Sequence, residues 1–225
     1  MTDASGETII FLERDRFYLY NGGTIINLNF PVNILPDLDV KNKDALFNLV
    51  TAFIQDNKLQ PSQLFFVISE AVCFSKDFPI KDPTDIARVQ ANSQAFVDAV
   101  PFNLVLSKTY KTQTVYRVVA TNQELVDVIV DAFIQKGFGL TAVVPANIYP
   151  EFGASRELTE KFAKHIIDTR EKAKLSNMVG EKAVPESHEL STSVIKEPKN
   201  KLLPYLIVGF VALLTILVIV IVMRK

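Results

Sequence analysis

Residues 7–30 read ETIIFLERDRFYLYNGGTIINLNF, and this stretch decides the fold. Three apolar runs, Ile9–Leu12, Phe17–Tyr20 and Ile25–Leu28, are short and rich in β-branched and aromatic side chains. Glu13-Arg14-Asp15-Arg16 separates the first two, and Asn21-Gly22-Gly23 separates the second two. Runs of this length around an Asn-Gly turn predict consecutive antiparallel strands, so the domain opens with a three-stranded meander.

Working outward, Asn42 and Asp44 predict a helix start, followed by the stripe Ala45, Leu46, Leu49, Val50, Phe53 and Ile54. Beyond Pro61, Leu64–Ile68 is a continuous apolar run of strand length, which suits a sheet interior covered on both faces. Residues 71–78 predict a further strand, and Asp82-Pro83 predicts a helix start whose helix Pro101 stops. Two strands follow around Thr112. Thr121-Asn122-Gln123-Glu124 then has the spacing of a capping box, ahead of Leu125, Val126, Ile129, Val130, Phe133 and Ile134. Gly137 predicts the end of that helix, and Leu140–Val144 a last strand. Ala-Phe-Ile-Gln occurs at 52–55 and again at 132–135; shared helical spacing explains it better than duplication, because the preceding strands differ. The fold class is mixed α+β.

Ser155–Ser176 predicts a charged amphipathic helix with Leu158, Phe162, Ile166 and Ile167 on one side. Pro185, Pro198 and the polar residues around them read as a flexible tether over 177–202. From Leu203 to Met223 no side chain is charged, and such a helix is long enough to cross about 30 Å of hydrocarbon. Pro204 falls in its first turn, Tyr205 at headgroup depth, and Gly209 is its only glycine, so no Gly-x-x-x-Gly dimer motif is present. Residues 1–30 show no basic stretch followed by an apolar export core. The expectation is a single-pass, tail-anchored protein of the cell membrane with its domain in the cytoplasm.

Composition narrows the function. Twenty-four Lys+Arg against 25 Asp+Glu give a formal charge of −1, no electrostatic reason to expect nucleic acid. Cys73, the single cysteine, has no intramolecular disulfide partner and no neighbouring His, so it reads as a packed apolar residue. His165 and His188 lack ligand-type residues at metal spacing. Gly137-Phe138-Gly139 follows a helix, where a dinucleotide loop precedes one. Glu13–Arg16 reads as a solvated turn of four charges. No catalytic, cofactor or metal constellation is expected.

Three stretches carry a family resemblance: Phe74–Pro79, Phe96–Phe102, and Tyr116–Thr121 continuing through Asn122–Asp127 to Gly137 and Leu140–Val143. Together they resemble the first half of the actin-like pilus-assembly family of PilM and the cytoplasmic domain of the type II secretion protein GspL, over residues 7–150. The resemblance implies a truncated actin-like first lobe over 1–150 with a small α/β domain inserted at about 80–145. It also implies a groove between the two parts for a peptide of another platform protein, without assigning residues to it. Two departures argue against nucleotide. The Asp-x-Gly turn of the family is replaced by Glu13–Arg16, and no second lobe follows Pro150. The expected function is a non-catalytic, membrane-anchored scaffold for a pilus or secretion platform. The competing expectation is a generic tail-anchored adaptor unrelated to pili. A residual nucleotide hydrolase suffers from the missing lobe, and a SNARE-type fusion protein from the absence of sustained heptads over 150–201.

Overall fold

The computed structural model describes residues 7–179, apart from 81, 83, 84, 113, 153 and 154. The span expected at Leu203, Pro204, Tyr205, Gly209 and Met223, the tether beyond Val179, and His188 lie outside those residues. Among the described residues, no helix is long and apolar enough to cross a membrane.

The meander forms as β1 (Glu7–Leu12), β2 (Arg16–Asn21) and β3 (Thr24–Asn29), paired antiparallel. Asn21 pairs with Thr24 across a two-residue turn in which Gly22 and Gly23 have φ of 56° and 89°. That left-handed backbone matches the twist of the flanking strands, and glycine adopts it without steric cost. Helix α1 (Lys43–Asp56) starts where expected, with the Asn42 side chain accepting from the Ala45 amide at 2.9 Å. Strand β4 (Gln63–Ile68) then lies parallel to β1, with Leu12 opposite Ile68.

The chain now leaves this sheet. A single 3₁₀ turn (Glu70–Val72) leads into β5 (Phe74–Pro79), α2 (Ile86–Asp98), β6 (Val105–Lys111) and β7 (Val115–Asn122), which build a second, antiparallel sheet in the order β5-β7-β6. Helix α2 packs on it through Val89, Phe96 and Val97 against Phe78, Val118 and Tyr116. Its N-cap is Asp85, paired with Arg88 at 2.8 Å, three residues beyond the expected Asp82.

Helix α3 (Gln123–Gln135) and β8 (Gly139–Pro145) return to the first sheet, giving the order β3-β2-β1-β4-β8. The second sheet with its helix therefore occupies 74–122, against the expected insertion at about 80–145. The apolar stripe of α3 belongs to the main core, where Leu125, Ile129 and Phe133 are fully buried. The N-cap of α3 is also one residue later than the capping box implied. Asn122 accepts from the Glu124 amide at 2.9 Å, while Thr121 turns its hydroxyl to the Val72 carbonyl at 2.9 Å. At the other end, Gly137 (φ 90°) allows Phe138 N–H to reach Phe133 O at 3.2 Å, and the two rings meet edge to face at 5.1 Å.

Strands β1 and β4 are buried on both faces. Ile10, Leu12, Leu64, Phe66 and Ile68 face α1 and α3, around Phe17 and its edge-on contacts with Phe53 and Phe133 at 5.2 and 6.2 Å. Ile9, Phe11, Phe65 and Val67 face the other way. The charged helix covers them: α4 (Glu160–Ala173) buries Phe162, Ala163 and Ile166, and Arg170 reaches Glu7 at 3.1 Å. The helix expected at 155–176 thus docks on its own domain.

Phe162 has no exposure and contacts Phe11, Tyr149 and Phe152 at ring distances of 5.5, 5.6 and 4.5 Å. Phe162→Ala is expected to cost about 3–5 kcal/mol, read by urea unfolding of the full chain in mild detergent. An unchanged midpoint would detach α4 from the fold. Asn122 also donates to Leu38 O at 2.8 Å while buried, so Asn122→Ala is expected to cost roughly 2 kcal/mol or more in the same assay.

Candidate functional site

Two of the depressions beside the sheets bring polar side chains from several elements together. The first sits at the C-terminal ends of the parallel strands β1 and β4. In open α/β sheets ligands settle at this end, where neighbouring connections diverge. Because Leu12 and Ile68 are paired, the next residues, Glu13 and Ser69, stand side by side there. A crevice of about 720 Å³ opens over Glu13, lined also by Arg14, Asp15, Arg16, Tyr18 and Arg156.

The turn Glu13–Arg16 is not uniformly solvated, contrary to the sequence reading. Arg14 and Asp15 are exposed, but Glu13 is 5% exposed. Arg16 clasps Asp15 at 3.0 and 2.8 Å, which holds the Asp15 carboxyl below the usual carboxylate range. Arg14 reaches Asp37 at 2.9 Å. With Arg16 and Arg14 so occupied, neither binds the inward carboxylate. Glu13 Oε1 and Ser69 Oγ are buried without a hydrogen-bond partner of ordinary geometry. Burial pushes the Glu13 carboxyl up, against the smaller pulls of the Ser69 hydroxyl, the Arg14 amide and, weaker still, Arg156. The Glu13 amide is closed onto Arg16 O at 2.9 Å.

The second depression is a groove of about 340 Å³ between the second sheet and the turn that follows β8. Asp77, Tyr110, Thr112, Val115 and Arg117 supply one wall, and Asn147 and Ile148, just past β8, the other. Asp77 and Arg117 are cross-strand partners, and the guanidinium meets the carboxylate through two bonds of 2.6 Å. That pair lowers the Asp77 carboxyl and remains about half exposed, 46% on each side. Tyr110 is more enclosed; it donates to Ser176 O at 3.0 Å, and burial pushes its phenol up. An ion pair, a phenol, an amide and two aliphatic side chains along one groove suit an extended polypeptide better than a compact apolar ligand.

The remaining candidates fall into place as packing residues. Cys73 is half-buried beside the main core, where burial pushes its thiol up to about 12, so a thiolate nucleophile is not available near neutral pH. His165 packs on Tyr149 and Phe152 at 5.8 and 5.3 Å. Among the described residues, no three His, Cys, Asp or Glu side chains are grouped to hold a metal. Gly137 and Gly139 serve the helix end and the start of β8.

The fold is thus of the mixed α+β class, with two sheets and four α-helices among the described residues. No family model matches the chain, and no curated protein matches it. Among solved structures it is similar to the PilM–PilN type IV pilus biogenesis complex, at 13% identity over 66% of this chain and 51% of that one, with a TM-score of 0.44. It is also similar to the cytoplasmic domain of EpsL, an inner membrane component of the type II secretion system of Vibrio cholerae. That match has 10% identity over 63% of this chain and 57% of that one, with a TM-score of 0.40. The chain spans a little over half the length of either matched structure.

Glu13 gives a pH test. Its folded-state pKa is raised, so the native protein keeps this proton after the unfolded chain has lost it. Stability is therefore fully present below the ordinary value of 4.5 and falls as pH rises through the raised one. Glu13→Gln removes that fall. The variant is expected to match the parent near pH 4 and to be the more stable of the two at pH 7 in urea unfolding.

Proposed function

We propose that this chain is a non-catalytic, membrane-anchored scaffold of the PilM and GspL kind, which recruits components of a pilus or secretion platform at the cytoplasmic face of the membrane. The observation that carries this reading is the groove between the second sheet and the end of β8. It lies between the two parts that the sequence resemblance over residues 7–150 implies, and its Asp77, Arg117 and Tyr110 offer charge, hydrogen bonding and an aromatic face to an extended segment. The apolar run at 203–223 supports the anchored part of the reading.

The crevice supports the absence of nucleotide chemistry. A phosphate needs free backbone amides at close range, as glycine turns supply. Here the turn carries Glu13, Arg14, Asp15 and Arg16 in place of glycine, and the Glu13 amide is already bonded to Arg16 O. Tight ATP binding with hydrolysis by the purified chain would overturn this part.

The test of the scaffold is a mild-detergent pull-down of the full chain from its native membranes, comparing it with Arg117→Glu. The expected result is recovery of pilus-platform or secretion-platform proteins, reduced at least tenfold by the variant. The exposed Asp77–Arg117 pair is worth at most about 1 kcal/mol, so the thermal midpoint should move by only a few degrees. Reproducible recovery of an unrelated complex by both forms would make the chain a membrane-tethered adaptor with no connection to pili.

A further inference from the structure

One wall of the groove comes from the second sheet and the other from the turn after β8, and a short segment after α4 is bonded to both parts. Residues 174–179 leave the helix through a 3₁₀ turn (Lys174–Ser176) and run between the second sheet and β8. From the second sheet, Lys108 Nζ donates to Asn177 O at 2.6 Å and to Leu175 O at 3.3 Å, and Tyr110 donates to Ser176 O at 3.0 Å. From the first sheet, Val143 N–H donates to Asn177 Oδ1 at 2.8 Å, and Val143 O accepts from Met178 N–H at 2.7 Å. Met178 is 5% exposed and belongs to the main core.

Five hydrogen bonds therefore pass through one short segment, three to one sheet and two to the other. Tyr110 is shared, since its ring lines the groove while its hydroxyl holds the segment. The phenol's single proton is committed to Ser176 O, so toward the groove it presents an acceptor oxygen and an apolar ring. On the opposite wall, Val143 lies in β8 a few residues before Asn147 and Ile148.

We infer that residues 174–179 are a strap that sets the width of the partner groove, with Lys108, Tyr110 and Asn177 as its positioning residues. This rests on the reading of the groove as the partner site. A docked strap preforms the groove, so a partner binds without first ordering its walls, and by reciprocity a bound partner tightens the strap. The strap is also where the chain leaves the described domain toward the tether, so occupancy of the groove is felt at that exit.

The test places spin labels across the groove in the full chain, at Thr112→Cys and Asn147→Cys in a Cys73→Ala background, and reads their distance distribution. Asn177→Ala removes the acceptor for Val143 N–H. Tyr110→Phe, a milder change, removes only the bond to Ser176 and covers the case in which Asn177→Ala fails to fold. Each is expected to broaden the distribution, to speed hydrogen exchange of the Met178 amide several-fold, and to weaken partner capture several-fold while Arg117 is intact. Faster Met178 exchange with an unchanged distribution would overturn the inference, because the strap would then be local packing. A broadened distribution together with partner capture indifferent to Arg117→Glu would leave the strap standing and remove the groove as the partner site.

Discussion

Everything in this fold follows from burying β1 and β4 on both faces. Ile9–Leu12 and Leu64–Ile68 have exposures of 3% or less, so neither face of the central strands tolerates water. One face is closed by α1 and α3, which is why the chain must come back after the second sheet rather than end there. The other face is closed by α4, a helix whose charged surface disguises a narrow apolar stripe. The second sheet is an excursion between two obligations: it begins after β4 has been laid down and ends where α3 must cover it. Its own small cluster of Phe78, Val89 and Val118 is a satellite of that arrangement.

This two-sided burial was legible in the sequence because it leaves a local mark. Leu64–Ile68 is apolar without alternation, and the meander declares itself through Asn21-Gly22-Gly23. Asn42 and Gly137 could be read for the same reason, since caps act over three or four residues. What could not be read were choices settled by distant partners. Thr121 and Asn122 are both capping residues, and Thr121 lost the role because the Val72 carbonyl claimed its hydroxyl. The limits of the second sheet depended on whether α3 faced α1 or α2, which periodicity alone does not distinguish. Glu13 looked like its charged neighbours, and only the pairing of Leu12 with Ile68 turns it inward. The groove was beyond reach of any local pattern, because Asp77 and Arg117 are joined by strand register and Asn147 arrives from a different sheet. A cross-strand opposite-charge pair is the one signal that a strand alignment of 74–79 with 115–120 would have exposed.

The two depressions differ in how their polar groups are satisfied. In the groove, the ion pair and the phenol are bonded and half open to solvent, a state that costs little and is ready for contact. In the crevice, the Glu13 carboxyl is drawn out of solvent beside the Ser69 hydroxyl, and its burial outweighs the groups that favour its charge. A surface assembled from hydrogen-bonded, half-exposed groups is what a binding module needs. The end of β1 lacks the glycine backbone that a phosphate site would use.

Covering β8 with Asn177 and Met178 has an additional effect on colloidal behaviour. An open parallel edge of Ala142, Val143 and Val144 would present unpaired amides flanked by aliphatic side chains, a template for stray strands from other molecules. At Val143 the chain caps that template itself, the Asn177 side chain accepting from its amide and the Met178 amide donating to its carbonyl. The opposite edge, β3, is protected differently, by Thr24, Asn27 and Asn29 exposed along the strand. The chain thus covers this edge at Val143 with a few residues of its own, which leaves less of it open to a strand from a neighbouring copy.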